Sequence, residues 1–317
     1  MLADIGGTNA RFAWQAAPGL PMTDVRVLPG ADHPTLADAA QAYLTSLGLG
    51  TPAEAAIAIA NPITGDWVAM TNHHWRFSQR ELAASLGVRR LKLLNDFTAL
   101  ALALPDIPAE ELRQVGGGEA TPRAAMGLLG AGTGLGVSGL VPQAGGGWVP
   151  LQGEGGHTTL PAQGPREWAV QAGLEHQYGH PSAERALSGQ GLLDTYRVLC
   201  ALDGVDAACD HPSDVTDAAL AASDPRAEEA LTLFCAWLGS VAGNLALTLG
   251  AKGGVYVGGG IVPRLGDWFD HSPFRARFEA KGRFRSYLAS VPTWVITSAQ
   301  SPALRGAIRA LDQPDGD

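Results

Sequence analysis

The sequence predicts an α/β protein of two domains, and three observations carry that prediction. Short apolar runs of strand length alternate with helix-period segments along the chain. With 317 residues, 46% of them hydrophobic, the chain is long enough for two cores and too apolar to be disordered. A strand, glycine turn, strand pattern occurs twice, in D-I-G-G-T-N-A-R-F-A and in G-A-G-T-G-L-G-V-S-G, as expected of a fold built from two related halves.

The first of these patterns starts at Asp4. A glycine pair after an apolar residue makes a tight turn in which backbone N–H groups can approach a ligand closely. Asp4 would repel a bare phosphate but could hold a metal-bound one. A hairpin turn with a capping aspartate looks the same, and on these residues both readings stand. AAIAIA (55–60) reads as a buried strand that stops at the turn N-P-I-T-G. LKLL (91–94) reads as another, and TALALAL begins a helix straight after Asn95-Asp96-Phe97. The glycine- and acid-rich connection between Pro105 and Pro122 is the expected domain boundary.

MGLL (126–129) is a third strand, running through G-A-G-T-G-L-G into a returning strand, VSGLV (137–141). The stretch 230–249 is twenty residues without a charge and contains Gly239-xxx-Gly243, so by length it qualifies as a membrane span. Its Thr232, Ser240, Asn244 and Thr248, and an acidic flank at Asp224, Glu228 and Glu229, fit a helix buried inside a large α/β domain better. GVYVGGGIVP reads as a strand entering a glycine turn, and TWVIT (293–297) as a last strand before a C-terminal helix. The tail 314–317 is expected to fray.

Composition narrows the function. A formal charge of −9 and a pI near 5.3, without any basic run, argue against nucleic acid as a partner. Cys200, Cys209 and Cys235 are too few and wrongly spaced for a disulfide framework or a zinc knuckle. No secretory signal is visible at the start, so the expected compartment is the cytoplasm, with no membrane partner. His176 and His180 are four apart, but Gly179 intervenes and no third ligand is evident. His73 and His74, read as strand neighbours, cannot face one way. All four are read as non-metal histidines.

The glycine runs also exclude familiar phosphate motifs. The central G-x-G-x-G leads into a returning strand, whereas a dinucleotide loop opens a helix. Gly-Lys-Ser/Thr is absent, and so is the protein-kinase set of glycine loop, strand lysine and H-R-D. What remains is phosphate held by hairpin N–H groups and threonine hydroxyls, with magnesium offsetting the charge.

Seven stretches then fall in order: D-I-G-G-T-N-A-R, N-P-I-T-G-D-W-V-A-M-T-N, L-N-D-F-T-A, G-A-G-T-G-L-G-V, G-E-G-G-H, S-A-E-R-A-L-S-G and V-G-G-G-I-V-P-R. Together they resemble the bacterial ATP-dependent glucokinase family of the hexokinase and actin-like superfamily, from Asp4 to about Ala310. The cysteine-rich zinc motif usual in the related repressor and sugar-kinase group is missing. One departure stands out: only Met1-Leu2-Ala3 precede Asp4, where the family has several more apolar residues. Either the first strand is short or the true start lies upstream.

The resemblance implies a two-domain actin-like ATPase (ribonuclease H-like) fold with an inter-domain cleft. Residues 1–106 plus 298–317 would form the small α/β domain and 107–297 the large one. It implies transfer of the γ-phosphoryl of ATP, with Mg2+, to the 6-hydroxyl of glucose, and suggests a homodimer. Asp96 would be the base, at the carboxyl edge of a sheet where α/β sites sit. Taken alone, Asp96 reads more simply as the N-cap of TALALAL.

Asn95 brings a donor and an acceptor suited to adjacent sugar hydroxyls, and is otherwise a turn asparagine. Glu154 and His157, ordinarily surface residues, would with Glu184 grip further hydroxyls, as the family motif implies. Asn61 would shape the same site. Gly6, Gly7, Thr8 and Asn9 would form the first phosphate hairpin and Gly132, Thr133 and Gly134 the second. Asp4 would reach magnesium through water, and Gly258, Gly259 and Gly260 would let adenosine lie flat on the backbone. Two rival readings are a kinase for another hexose, and an actin-like ATPase or sugar sensor without transferase activity. The Asn95-Asp96 pair and the Glu154, His157, Glu184 set argue against the latter.

Overall fold

The protein is described here by a computed structural model covering residues 1–71 and 73–313. The expected fraying of 314–317 lies outside the described residues, as does Asn72 of the second motif.

Strand β1 (Leu2–Ile5) enters a turn closed by the Gly6 N–H on the Asn9 carbonyl at 2.9 Å, and β2 (Asn9–Trp14) and β3 (Thr23–Pro29) follow. Helix α1 (Leu36–Ser46) starts where the Thr35 hydroxyl accepts the Asp38 N–H. Strand β4 (Glu54–Ile59) is followed by a small hairpin, β5 (Trp67–Ala69) and β6 (Arg76–Ser78). Helix α2 (Gln79–Leu86) is capped by Ser78 and ended by Gly87 in the left-handed region. Strand β7 (Arg90–Asn95) runs without a loop into α3 (Asp96–Ala103).

Beyond it come β8 (Leu112–Gln114), β9 (Met126–Ala131), β10 (Leu135–Pro142) and β11 (Trp148–Gln152). A helical stretch follows, α4 (Gly164–Tyr178), α5 (Gly189–Asp203), α6 (Pro212–Leu220) and α7 (Pro225–Leu249). Strand β12 (Val255–Gly258), short helices α8 (Asp267–His271), α9 (Phe274–Glu279) and α10 (Arg285–Ala289), strand β13 (Thr293–Ile296) and α11 (Ala303–Asp312) complete the chain.

Contacts divide the chain into two compact units. The first comprises Met1–Ile107, Gln143–Gln152 and Ser298–Asp317, and the second Pro108–Pro142 and Gly153–Thr297. The expected large domain took in everything from 107 to 297, whereas Gln143–Gln152 groups with the first unit, where β11 packs against α3.

In the first unit the sheet order is β3-β2-β1-β4-β7. The β1–β2 and β2–β3 pairs are antiparallel, and β1, β4 and β7 run parallel. The run AAIAIA is apolar throughout because both faces of β4 are covered. Ala55, Ile57 and Ile59 join Ile5, Phe12, Tyr43 and Leu82 on the side of α1 and α2. Ala56 and Ala58 face the other way, among Leu2, Ala99, Ala303 and Leu304 of β1, α3 and α11.

In the second unit the strands run β10-β9-β12-β13-β8, with β9, β12 and β13 parallel. The connection expected between Pro105 and Pro122 is therefore more than a linker: it supplies the edge strand β8, paired with β13. Among the described residues, helix α7 is the one helix long and apolar enough to cross a membrane, and 72% of its apolar window is buried. Its Gly239 and Gly243 let the backbone of α9 come close. A methyl on Gly239 would collide with the Phe274 carbonyl, and one on Gly243 would lie 2.5 Å from the Phe278 carbonyl. His73 and His74 correct a further expectation, since they lie in the β5–β6 loop rather than on a strand, and their rings stack with centroids 4.5 Å apart.

Candidate active site

Parallel pairing places the first unit's polar residues at one edge. Ile5, Ile59 and Asn95 are partners across β1, β4 and β7, so the residues just beyond them share the carboxyl ends of those strands. There lie the Gly6–Gly7–Thr8 turn, Asn61 and Asp96, with Asn9 opening the returning strand.

Asp4 sits one residue before the turn and is 8% exposed. Its cross-strand partner is Arg11, whose Nη1 is 3.5 Å from the carboxylate. No residue-type motif singles out Arg11. The signal was present, because a two-strand hairpin turning between Gly7 and Thr8 necessarily sets residue 4 against residue 11.

At the β7–α3 junction the structure moves the helix cap by one residue. The N-cap of α3 is Asn95, not Asp96: its Oδ1 accepts the N–H groups of Phe97 (2.9 Å) and Thr98 (3.2 Å). Its amide nitrogen donates to the Asn61 carbonyl at 3.4 Å. The acceptor side of Asn95 is thus committed to the helix, and its amide nitrogen is the group whose second N–H could serve a ligand. Asn61 itself accepts Thr71 N–H and Oγ1–H at 3.0 and 2.8 Å, which ties the residues after β5 to this edge.

Asp96 becomes the first helical residue, with Oδ1 accepting the Phe97 N–H at 2.9 Å. Burial pushes its pKa up to about 6, and the negative charge of Asp4 adds in the same direction. The carboxyl is a stronger base than an ordinary aspartate and is still largely ionised at neutral pH.

The second unit carries its own polar edge. The β9–β10 turn is closed by Gly132 N–H on Gly134 carbonyl at 2.8 Å, and Gly189 N–H donates to the Gly132 carbonyl at 2.8 Å. Thr133 is exposed at its tip. Gly258 pairs with Gly130, so Gly259 and Gly260 leave β12 at that same edge, and Gly259 turns with φ of 80°.

Glu184 lies in a 3-10 turn, Ala183–Arg185, held by Ser188, whose hydroxyl donates to the Glu184 carbonyl and caps α5. Its Oε2 accepts the Leu135 N–H at 2.9 Å, and Oε1 is 4.0 Å from His157 Nδ1. His157 ends a second 3-10 turn, Gly155–His157, whose N-cap is the exposed Glu154. Glu184, His157 and the Gly132–Gly134 turn are thus brought together within this unit. The Leu135 amide that joins them is invisible to residue-type reasoning, because any residue supplies it.

Chemically, the first unit presents a basic carboxylate and an amide donor at the sheet edge that also carries the Gly6–Thr8 turn. The second presents carboxylate and imidazole groups beside the Gly132–Gly134 turn. Groups of these kinds are what a phosphoryl transfer to a hydroxyl requires.

Known proteins resemble this chain over nearly its whole length. A glucokinase family model matches residues 1–314. A glucokinase of Chromobacterium violaceum is 55% identical over 311 residues, covering 98% of this chain and 88% of its own. A glucokinase of Aromatoleum aromaticum is 54% identical over 313 residues, covering 98% and 94%. Among solved structures, a glucokinase from an Antarctic psychrotroph matches with a TM-score of 0.89 at 33% identity over 98% of both chains.

Proposed function

The chain belongs to the glucokinase family, with its two-domain actin-like ATPase fold, and from that premise we propose how its own residues divide the transfer of the γ-phosphoryl of ATP to the 6-hydroxyl of glucose. Asp96 is the base. The observation that carries this role is its place at the end of β7 with a pKa of about 6, raised by burial and by Asp4. A carboxylate of that basicity accepts the hydroxyl proton more readily than an ordinary aspartate while staying ionised at neutral pH.

The sugar is held by polar groups that need hydroxyl partners: the Asn95 amide nitrogen, the Glu154 and Glu184 carboxylates and the His157 imidazole. A sugar that lacks or inverts one hydroxyl leaves such a group unpaired, which discriminates more strongly than apolar fit. Asn61 positions Asn95 through its carbonyl.

Phosphate oxygens are taken by the turn Gly6, Gly7, Thr8 and Asn9 and by the turn Gly132, Thr133 and Gly134. Gly258, Gly259 and Gly260 leave a bare backbone for adenosine. Asp4 suits Mg2+, a hard cation commonly held by one carboxylate with waters and phosphates. When bound with ATP, the ion offsets phosphate charge. A cytoplasmic homodimer is part of the same reading, and scattering in solution reports its mass.

The test is sugar-dependent ADP release with magnesium ATP, comparing glucose, mannose, fructose, N-acetylglucosamine and no sugar, alongside Asp96→Asn. Glucose is expected to dominate, and the variant to lose turnover while still binding glucose. Equal ATP consumption without sugar would overturn the assignment, and a preference for another hexose would redirect it.

A further inference from the structure

The β5–β6 loop carries three aromatic residues that the transfer reaction does not use, His73, His74 and Trp75. They are anchored on the segment that follows β3. Trp75, 1% exposed, donates its indole N–H to the His33 carbonyl at 3.0 Å, and His74 Nε2 lies 3.1 Å from the same oxygen. His73 packs between its two neighbours, with ring centroids 4.5 Å from His74 and 4.0 Å from Trp75. Its Nδ1 accepts the Trp75 backbone N–H at 3.3 Å, which leaves the proton of the neutral ring on Nε2.

That Nε2 is aimed at Gly30. A methyl built on Gly30 would collide with Nε2 and lie 3.0 Å from both Cδ2 and Cε1, so the contact exists only because residue 30 has no side chain. Gly30 in turn donates its N–H to the Thr8 carbonyl at 2.9 Å, one step past the Asn9–Pro29 pair of the β2–β3 ladder. A continuous path of contacts therefore runs from an imidazole in one loop, through a glycine, to the tip of the Gly6–Asn9 turn.

We propose that His73 is a positioning residue for that turn, seating Gly30 so that its N–H holds the Thr8 carbonyl and keeps the turn in one arrangement. The inference rests on the reading that this turn takes ATP phosphates, and nothing in it concerns the sugar. A turn held in its binding shape loses less conformational freedom when ligand arrives. Loss of the imidazole therefore weakens nucleotide binding rather than chemistry.

The experiment measures KM for magnesium ATP, KM for glucose and kcat in wild type, His73→Ala, His73→Asn, Gly30→Ala and the His73→Ala/Gly30→Ala double variant. In His73→Ala, KM for ATP is expected to rise about tenfold, with KM for glucose and kcat within about twofold. His73→Asn offers an oxygen to the Trp75 N–H and is expected to recover most of that loss. Gly30→Ala raises KM for ATP as well. Its effect shrinks in the double variant, because removing the ring makes room for the methyl, and that non-additivity marks a direct contact.

Equal rises in both KM values, or strictly additive variants, would overturn the proposal. Should His73→Ala not fold, Gly30→Ala against wild type carries the same split between the two substrates. A wild type without sugar-dependent ADP release would instead count against the kinase reading.

Discussion

The Glu184 carboxylate accepts the backbone N–H of Leu135 at 2.9 Å, so a side chain proposed for sugar is bonded to the residue that follows the Gly132–Gly134 turn proposed for phosphate. Gly134 makes this possible, since a methyl there would stand 2.5 Å from Oε2. Glu184→Gln keeps an acceptor but loses the charge, and we expect KM for glucose to rise roughly tenfold or more, with KM for ATP little changed. Gly134→Ala should raise both, because it displaces the carboxylate and distorts the turn. Steady-state kinetics with each substrate varied in turn distinguishes the two patterns.

Asp96 sets an acid limb. Its carboxyl is raised to about 6 and must be ionised to accept a proton, so kcat/KM for glucose should fall as pH drops through about 6. Asp4 contributes to that rise, so Asp4→Asn should move the limb to lower pH, on top of any loss of ATP binding. A limb that stays put in Asp4→Asn would mean that burial alone raises the group.

The same shift has a stability consequence of opposite sign to that of a salt-bridged carboxylate. Folding favours the protonated form of Asp96, so the ionised group destabilises the fold above pH 6, and the penalty vanishes below the unfolded value of 3.8. Asp96→Asn should therefore gain up to about 3 kcal/mol at pH 7.5 and nothing at pH 3.5. Denaturant unfolding at the two pH values checks it, and equal changes at both would refute the linkage.

Asn95 serves two purposes that substitution can separate. Asn95→Ala removes the cap of α3 and should cost about 1–2 kcal/mol. Asn95→Asp retains a capping oxygen but no amide nitrogen, so the melting temperature should hold while KM for glucose rises. A thermal melt paired with glucose titration tests both halves.

Gly239 is not among the proposed site residues and lies on a helix whose close contact there is the backbone of α9. Gly239→Ala should destabilise the second unit by roughly 1–3 kcal/mol while kcat per folded molecule is preserved. Urea unfolding followed by tryptophan fluorescence, with activity at zero denaturant, separates these effects.

Element identity was legible wherever an apolar period was intact. The strands at 55–60, 91–94 and 126–129 appear as β4, β7 and β9, and the return through 137–141 as β10. Strand β8 was hidden because LRQ is too short and polar to signal a strand, and becomes one only by pairing with β13. The cap of α3 was off by one residue because Asn and Asp are comparable N-caps, and only the helix frame chooses between Asn95 and Asp96.

The sequence by itself determined the family, the two glycine hairpins and the residue types for phosphoryl transfer, since each depends on short stretches whose backbone and chemistry are local. Only the tertiary structure decided which of those groups act on one another. The pKa of Asp96 comes from burial and from Asp4 across two strands. The Glu184–Leu135 bond spans 49 positions, and the His73 ring meets Gly30 only because a loop folds back onto the end of β3. Such contacts depend on register and close approach, which no local pattern of residues encodes.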